Sequence, residues 1–247
     1  MYSVWAREYR VRRNEICSYM DGTDRKKMTT KHKIGYYFVF LLLFLNTFLS
    51  PALAEKANIS VDLDAKVREF LASRRGKWVD WNVPETDGKV LYDLIIKNNY
   101  QKAVEIGTST GHSAIWMAWA LSKTGGKLVT IEIDKGRYTE ALANFKKAGL
   151  SDYIDARLAD AHQLVAELKG PFDFVFSDAD KDWYKNYFTA LAPKLEAGGC
   201  FTAHNVSSHW GGIQEFLDYV RSLPNFETTI DRSSSAGISI SYKTAEQ

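Results

Sequence analysis

Cysteine is scarce in this sequence, because its 247 residues contain two, Cys17 and Cys200. Two cysteines are too few for a disulfide framework or for a zinc cluster built on cysteine. The 5 prolines and 16 glycines are also too few for a collagen-like or low-complexity chain, and a hydrophobic fraction of 45% is ordinary for a folded protein. The composition therefore predicts a globular domain without a disulfide framework.

A strong excess of charge of one sign is also missing, since the net charge of the chain is +2. Residues 1–54 contain nine Lys and Arg and four Asp and Glu, a net charge of +5, which leaves −3 for residues 55–247. A nucleic-acid binder needs a basic body. The mildly acidic body therefore argues against a nucleic-acid partner, and the change in charge predicts a domain over 55–247.

Residues 1–54 have the three parts of a secretory signal peptide. Basic residues between 25 and 33 precede an apolar run at 34–49, and Ala52 and Ala54 provide the small side chains of an Ala-x-Ala cleavage site. The alternative is an uncleaved membrane anchor through 34–49, although this run is shorter than the roughly 20 apolar residues that span a bilayer. The segment predicts an exported (periplasmic or secreted) or membrane-anchored protein rather than a cytoplasmic one.

Residues 55–247 alternate short β-rich runs with amphipathic helical patterns. This alternation predicts one doubly wound α/β domain with a mostly parallel sheet. The last two runs have no helix between them, which predicts a hairpin with an antiparallel last strand. The predicted strands are 102–106, 127–131, 153–157, 172–176, 199–203, 226–231 and 237–242, and the predicted helices are 61–74, 87–97, 112–123, 134–148, 160–168, 182–195 and 211–222.

Polar residues stand where the apolar runs end, and open parallel sheets bind ligands outside the carboxyl ends of their strands. Gly107 and Gly111 enclose a hydroxyl-rich turn that leads into a helix and allows close approach of a ligand. Glu132 ends the second strand, where a carboxylate can accept both hydroxyls of a ribose. Each feature alone also fits a tight turn or a solvated helix start. Because the GxGxxG spacing that binds a pyrophosphate is missing, together they indicate an adenosine-bearing ligand without a diphosphate.

Three segments carry a more specific signal. They read Val-Glu-Ile-Gly-Thr-Ser-Thr-Gly-His-Ser at 104–113, Val-Thr-Ile-Glu at 129–132 and Phe-Val-Phe-Ser-Asp-Ala-Asp-Lys at 174–181. In these segments the chain resembles the cation-dependent O-methyltransferases of the catechol and caffeoyl-coenzyme A type, which use S-adenosylmethionine. The resemblance extends from about Val83 to Tyr242. It implies a Rossmann-like methyltransferase fold and an aromatic hydroxyl as methyl acceptor.

The resemblance also implies a cofactor site. Glu105 and Gly107 would hold the methionine end of S-adenosylmethionine, Glu132 would bind its ribose, and Ala161 would line its adenine. Asp178 would face both the cofactor and a metal ion. The full set of implied cofactor contacts is Val83, Glu105, Gly107, Thr108, Ser113, Glu132, Ala161 and Asp178.

A metal and a base are implied in the same way. The family binds a divalent cation, such as magnesium, through Asp178, an Asp at the position of His204, and Asn205. Such a cation would chelate two vicinal hydroxyls and lower the pKa of one of them. Lys181 lies where the family places a general base.

His204 departs from the family pattern, because the family has a carboxylate at this position. Imidazole removes one negative charge and prefers zinc, iron, nickel or manganese to magnesium. Three interpretations of His204 follow. The site prefers a different metal, the site has lost its metal, or His204 acts directly as the base on a phenol. A histidine held in a hydrogen-bond network is the fourth possibility.

Aromatic side chains are predicted to orient a planar acceptor by stacking. The candidates in loops or at helix starts near the strand ends are Trp78, Trp81, Trp183, Tyr184, His209 and Trp210, whereas Trp116 and Trp119 are predicted to pack in the core.

The sequence thus predicts an S-adenosylmethionine-dependent O-methyltransferase acting on a small catechol-like or phenolic hydroxyl. The alternative is an exported, catalytically altered methyltransferase-fold binding module, and the missing GxGxxG disfavours a nicotinamide-dependent oxidoreductase. Members of the resembled family are often dimers, so a homodimer is a further expectation.

Overall fold

The computed structural model describes residues 51–78, 80–208 and 211–244. The chain divides into two compact units, Met1–Asn58 and Ile59–Gln247. The basic stretch and apolar run of the predicted leader lie outside the described residues, so the leader and the boundary after residue 54 stay predictions. No helix in the described part of the chain is both long and apolar enough to cross a membrane.

Seven strands of the second unit form one sheet: β1 (Lys102–Ile106), β2 (Lys127–Glu132), β3 (Ile154–Leu158), β4 (Phe172–Ser177), β5 (Leu195–His204), β6 (Phe226–Asp231) and β7 (Ile238–Lys243). Their order across the sheet is β3-β2-β1-β4-β5-β7-β6. The pairs from β3 to β5 are parallel, and β7 runs antiparallel to both β5 and β6. The predicted mostly parallel sheet with an antiparallel last strand is confirmed, and β7 lies inside the sheet with β6 at its edge.

Helices pack on both faces of this sheet, and they are α1 (Pro51–Arg74), α2 (Glu85–Asn98), α3 (His112–Thr124), α4 (Lys135–Ala148), α5 (Ala161–Glu167), α6 (Tyr184–Leu191) and α7 (Ile213–Ser222). Buried residues of α1 to α4 form one core, and buried residues of α5 to α7 form the other. Successive β1 side chains point to opposite faces, so Ala103 packs into the first core and Val104 into the second. Helices on both faces explain why the central strands read as almost continuous apolar runs.

The predicted helix over 182–195 is wrong at both ends. Its segment consists of a 3₁₀ turn at Lys181–Trp183, helix α6, and a second 3₁₀ turn at Ala192–Lys194. Pro193 stands in that second turn, where it lacks the N–H that would continue an α-helix. Strand β5 consequently begins at Leu195 rather than at 199.

The strand order reverses between β1 and β4, and such a switch point opens a crevice at the carboxyl ends of the strands. Gly107 follows β1 and Asp178 follows β4, so the two residues meet at this crevice. The Asp178 N–H donates to the Ile106 carbonyl at 2.9 Å, which fixes the start of one loop against the end of the other strand. The topology therefore gathers the predicted site residues.

Candidate functional site

The loop between β1 and α3 has a backbone that glycine permits. Gly107 has φ of +95°, and a Cβ at this position would lie 2.8 Å from the Asp178 carbonyl oxygen. Gly111 has φ of +99° and begins α3 as its N-cap. Between them, Ser109 also has a positive φ of 49°, and its Oγ is buried without a hydrogen-bond partner among the described residues. We call this loop, residues 107–111, the Gly107 cradle. It contains one buried polar atom, Ser109 Oγ, without a hydrogen-bond partner in the described part of the chain.

Glu105 lies at the end of β1 inside a network of hydroxyl groups. Ser113 Oγ donates to one carboxyl oxygen and Thr130 Oγ1 to the other, each at 2.5 Å. The hydroxyls of Thr130 and Thr108 are also 2.5 Å apart. Burial raises the pKa of Glu105 to about 8, although the two hydroxyl donors oppose this change. Glu105 is therefore largely neutral at pH 7 in the protein alone.

Glu132 is oriented by backbone N–H groups at the end of β2. Ser109 N–H donates to Oε2 at 2.7 Å, and the N–H groups of Ile133 and Asp134 donate to Oε1 at 3.0 and 2.9 Å. The residue is 5% exposed. Because a carboxylate offers about four lone-pair positions and three of them are used, Glu132 can still accept one hydroxyl group from a ligand at Oε2.

Val83 and Trp78 meet at His112, the first residue of α3. Trp116 Nε1 donates to His112 Nε2 at 3.1 Å, so Nδ1 carries the proton of the neutral ring and donates to the Val83 carbonyl at 2.8 Å. Burial lowers the pKa of His112, which agrees with a neutral ring. Trp78 stacks on His112 with ring centroids 4.5 Å apart. These contacts fix the segment before α2 against the β1–α3 loop.

Asp178 forms the centre of a charged row at the ends of β4 and β5. Lys181 Nζ donates to Asp178 Oδ1 at 2.6 Å, and His204 Nδ1 lies 3.0 Å from Asp178 Oδ2. The other ring nitrogen of His204, Nε2, lies 2.7 Å from Oδ2 of Asp87. Ser234 Oγ donates to the same Asp87 oxygen at 2.8 Å. The row thus alternates carboxylate, imidazole, carboxylate and ammonium.

The two carboxylates set the charge of His204. Burial, the largest single effect, lowers its pKa, but the hydrogen bonds and negative charges of Asp178 and Asp87 together outweigh burial and raise the pKa to about 9. Since ionised carboxylates only accept hydrogen bonds, both ring nitrogens must donate. The geometry therefore places an imidazolium between Asp87 and Asp178.

The predicted metal ligands Asp178, His204 and Asn205 do not fit a divalent cation in this arrangement. An imidazole binds a metal through a nitrogen lone pair, and both His204 nitrogens are engaged by carboxylates. No group of three His, Cys, Asp or Glu side chains suited to a metal occurs among the described residues. Asn205 follows His204 with a positive φ of 60°, and its carbonyl accepts hydrogen bonds from Ser208. Of the four possibilities for His204, the geometry favours the hydrogen-bond network.

Ala161 is buried at the first position of α5, beside the end of β3. Asp160 caps this helix by accepting from the His162 N–H at 2.9 Å. The His162 ring stacks on Trp183 with centroids 3.9 Å apart and places Nε2 3.3 Å from Asp180 Oδ2. An imidazole and an indole therefore lie beside the position implied for the adenine.

The prediction that aromatic side chains near the strand ends stack on the acceptor is partly wrong. Tyr184 is fully buried in the core, where its hydroxyl donates to the His204 carbonyl at 3.0 Å and supports the end of β5. Trp81 is 74% exposed, and Trp78 and Trp183 stack on histidines. His209 and Trp210 lie outside the described residues. Trp116 and Trp119 are buried, as the sequence predicts.

Asp87 is the main site residue that the sequence does not reveal. It is 1% exposed in the first turn of α2, where an acidic residue is usually explained by the helix dipole. Asp87 and His204 are separated by 117 positions, and no spacing rule connects them. An acidic residue on the buried side of the predicted helix over 87–97 was the available signal.

The strand reversal, the Gly107 cradle and the oriented Glu132 define a Rossmann-like α/β protein with a candidate ligand site at its switch point. A family model described as O-methyltransferase matches residues 57–221, which is more than half of the chain. The chain therefore belongs to the O-methyltransferase family.

Relatives and solved structures agree with this family. The chain is 32% identical over 153 residues to a caffeoyl-CoA O-methyltransferase of Populus kitakamiensis. The aligned stretch covers 60% of this chain and 64% of that protein. This chain is 38% identical over 129 residues to a catechol O-methyltransferase of Niastella koreensis, covering 51% and 58%. An O-methyltransferase of Bacillus cereus, solved in complex with SAH, has 27% identity and a TM-score of 0.64, and covers 73% of this chain and 91% of that one. The chain thus spans less than two thirds of the length of the two named relatives.

Proposed function

We propose that the protein is an S-adenosylmethionine-dependent O-methyltransferase that methylates a hydroxyl group of a small aromatic acceptor. Family membership and relatives named for catechol and caffeoyl-CoA methylation support this function. The observation that carries it is the pairing of the Gly107 cradle with Glu132, whose carboxylate is held by three backbone N–H groups.

The residues present fit the cofactor. The Gly107 cradle leaves no room for a Cβ, and the Ser109 hydroxyl is a buried polar atom without a partner in the described part of the chain. Glu132 would accept a ribose hydroxyl at Oε2, and Glu105 would pair with the ammonium of the methionine end. The proposed contacts are Val83, Glu105, Gly107, Thr108, Ser113, Glu132, Ala161 and Asp178.

Methyl transfer requires the protein mainly to orient two reactants, the cofactor and the acceptor. When bound, S-adenosylmethionine would supply a methyl group on a positively charged sulfur; the acceptor oxygen would bond to this methyl carbon as the carbon–sulfur bond breaks, without a covalent enzyme intermediate. The acceptor hydroxyl must lose a proton, and we assign Lys181 as the group that takes it, which requires its neutral amine rather than the ammonium that pairs with Asp178. Asp178 holds Lys181 Nζ at 2.6 Å, and the Tyr184 ring lies 5.0 Å from the same nitrogen. His204 has no free ring nitrogen with which to take this proton.

Transfer of a radiolabelled methyl group from S-adenosylmethionine to catechol or to caffeoyl-CoA tests the proposal. We expect labelled product with the full chain, and a loss of about 10²-fold or more in Lys181→Ala. Lys185→Ala is the matched control, because Lys185 is also a lysine near α6 but pairs with exposed Glu215 at 2.8 Å. Cofactor binding without transfer to either acceptor would instead support a catalytically altered binding module.

For residues 1–54 we propose an export segment, either a signal peptide cleaved after Ala54 or a retained anchor. The intact mass of the protein recovered from its host tests this proposal. A chain beginning at Glu55 indicates cleavage, a full-length chain in the membrane fraction indicates an anchor, and a full-length chain in the cytoplasm contradicts both.

A further inference from the structure

The position that the resembled family gives to a metal-binding carboxylate holds His204 here, and both neighbours of this ring are carboxylates. Asp87 and His204 are 1% and 3% exposed. Their contact at 2.7 Å and the Asp178 contact at 3.0 Å use the two ring nitrogens. A neutral imidazole has one N–H and could donate to one of these carboxylates only, so it would set a lone pair against the other.

A metal ion at His204 would have to remove one of these hydrogen bonds. If a metal ion bound Nε2, Ser234 would be the remaining hydrogen-bond donor to buried Asp87 among the described residues, with its Oγ 2.8 Å from Asp87 Oδ2. If the ion bound Nδ1, Asp178 would lose the cation between it and Asp87. The first change breaks the contact between buried Asp87 and the imidazolium, and breaking a buried ion pair is strongly unfavourable. After the second change Asp178 would still pair with Lys181 at 2.6 Å. The bridge therefore competes directly with a metal ion for the same nitrogens.

We infer that the Asp87–His204–Asp178 bridge takes the place of the divalent cation in this chain, so that methyl transfer needs no added metal. The bridge puts one fixed positive group between two carboxylates at the carboxyl end of β5, next to the ammonium of Lys181. In this role His204 and Asp87 are positioning residues, because they act by holding Asp178 and, through it, Lys181. The part of the inference that concerns turnover rests on the proposed function.

Binding of Mn²⁺, followed through the electron paramagnetic resonance signal of the free ion, tests the bridge without relying on turnover. We expect the full chain to leave the Mn²⁺ signal unchanged at equimolar protein and metal. His204→Asp restores an oxygen ligand beside Asp178 and Asn205, and we expect this variant to bind Mn²⁺ at least about tenfold more tightly than the wild type. Micromolar binding of Mn²⁺ by the wild type would overturn the inference.

The methyl-transfer assay gives the second readout. We expect wild-type turnover to be the same in EDTA and in magnesium, and turnover of His204→Asp to fall at least about tenfold in EDTA. Wild-type turnover that requires magnesium would overturn the inference while the proposed function stands. If neither protein transfers a methyl group, the proposed function fails and the Mn²⁺ measurement still decides the inference.

His162→Asp is the matched control, because His162 also lies between two aspartates, Asp160 at 3.6 Å and Asp180 at 3.3 Å, but on the surface. We expect no gain in Mn²⁺ binding from this variant. An equal gain in both variants would show that any added carboxylate creates a site, and would count against a special role for position 204. If His204→Asp does not fold, as judged by circular dichroism, His204→Asn provides the oxygen ligand with less added charge.

Discussion

At the scale of single residues, the site contains two buried ionisable groups whose pKa values are both raised, with opposite effects on charge. Glu105 is surrounded by hydroxyl groups, and burial raises its pKa to about 8, so the carboxyl tends to be neutral. His204 is surrounded by carboxylates, which raise its pKa to about 9, so the imidazole is charged. Raised pKa values therefore favour the neutral form of the acid and the charged form of the base.

The raised pKa of Glu105 predicts a pH-dependent cost to stability. Because the folded pKa of about 8 exceeds the ordinary value of 4.5, the favourable contribution is complete below 4.5 and is lost as the pH rises through 8. Between these limits we expect the unfolding free energy of the wild type to fall, relative to Glu105→Gln, by about 1.4 kcal/mol per pH unit. Urea denaturation of both proteins at pH 5, 6, 7 and 8 measures this slope. Parallel pH profiles would contradict the neutral state of Glu105.

At the scale of elements, the β1–α3 loop shows which part of the site depends on backbone shape. Gly107 combines a positive φ with a close approach to the Asp178 carbonyl, and Gly111 is the N-cap of α3. The loop carries the Ser109 N–H that orients Glu132, so its shape connects the ends of β1 and β2. A distorted loop should therefore affect cofactor binding as well as folding.

Gly107→Ala tests this dependence against Gly125→Ala. Gly125 also has a positive φ, +79°, but nothing lies within 4 Å of the added Cβ. We expect Gly125→Ala to lower the unfolding free energy by about 1 kcal/mol, the cost of the left-handed backbone alone. Gly107→Ala should cost about 1–3 kcal/mol and abolish S-adenosylmethionine binding, as followed by denaturation and calorimetry. Equal losses in both variants with binding retained would refute the cradle.

The sequence predicts the elements that end in a visible change of pattern. The apolar runs of β1 and β2 stop at Gly107 and after Glu132, and the structure places both ends where they are predicted. The predicted helix over 182–195 is wrong because its apolar spacing continues past Pro193 into β5, where tertiary pairing decides the structure. Periodicity alone cannot separate a short helix followed by a strand from one longer helix.

The sequence indicates candidate site residues where they follow the strand ends and misses those that only packing brings to the site. Asp178 and Lys181 adjoin in sequence and in space. Asp87 reaches His204 from α2, and Ser234 reaches Asp87 from the loop between β6 and β7. Only the folded chain brings these residues together. The identity of His204 signals a departure from the family, and the resemblance places it with Asp178, but its partner Asp87 cannot be found from spacing.

At the scale of the whole molecule, the described part of the second unit is organised around the reversal of strand order between β1 and β4. Helices on both faces bury the central strands, so polar groups concentrate at the carboxyl edge. The Gly107 cradle, Glu132 and the Asp178 row all lie at this edge. We therefore expect one cofactor site at the switch point.

Calorimetric titration of the full chain with S-adenosylmethionine tests this claim most directly. We expect micromolar binding, about −8 kcal/mol, that is lost in Glu132→Ala and kept in Glu140→Ala, whose carboxylate pairs with Arg74. Absence of binding by a folded wild-type chain, or binding that survives Glu132→Ala, would contradict the account.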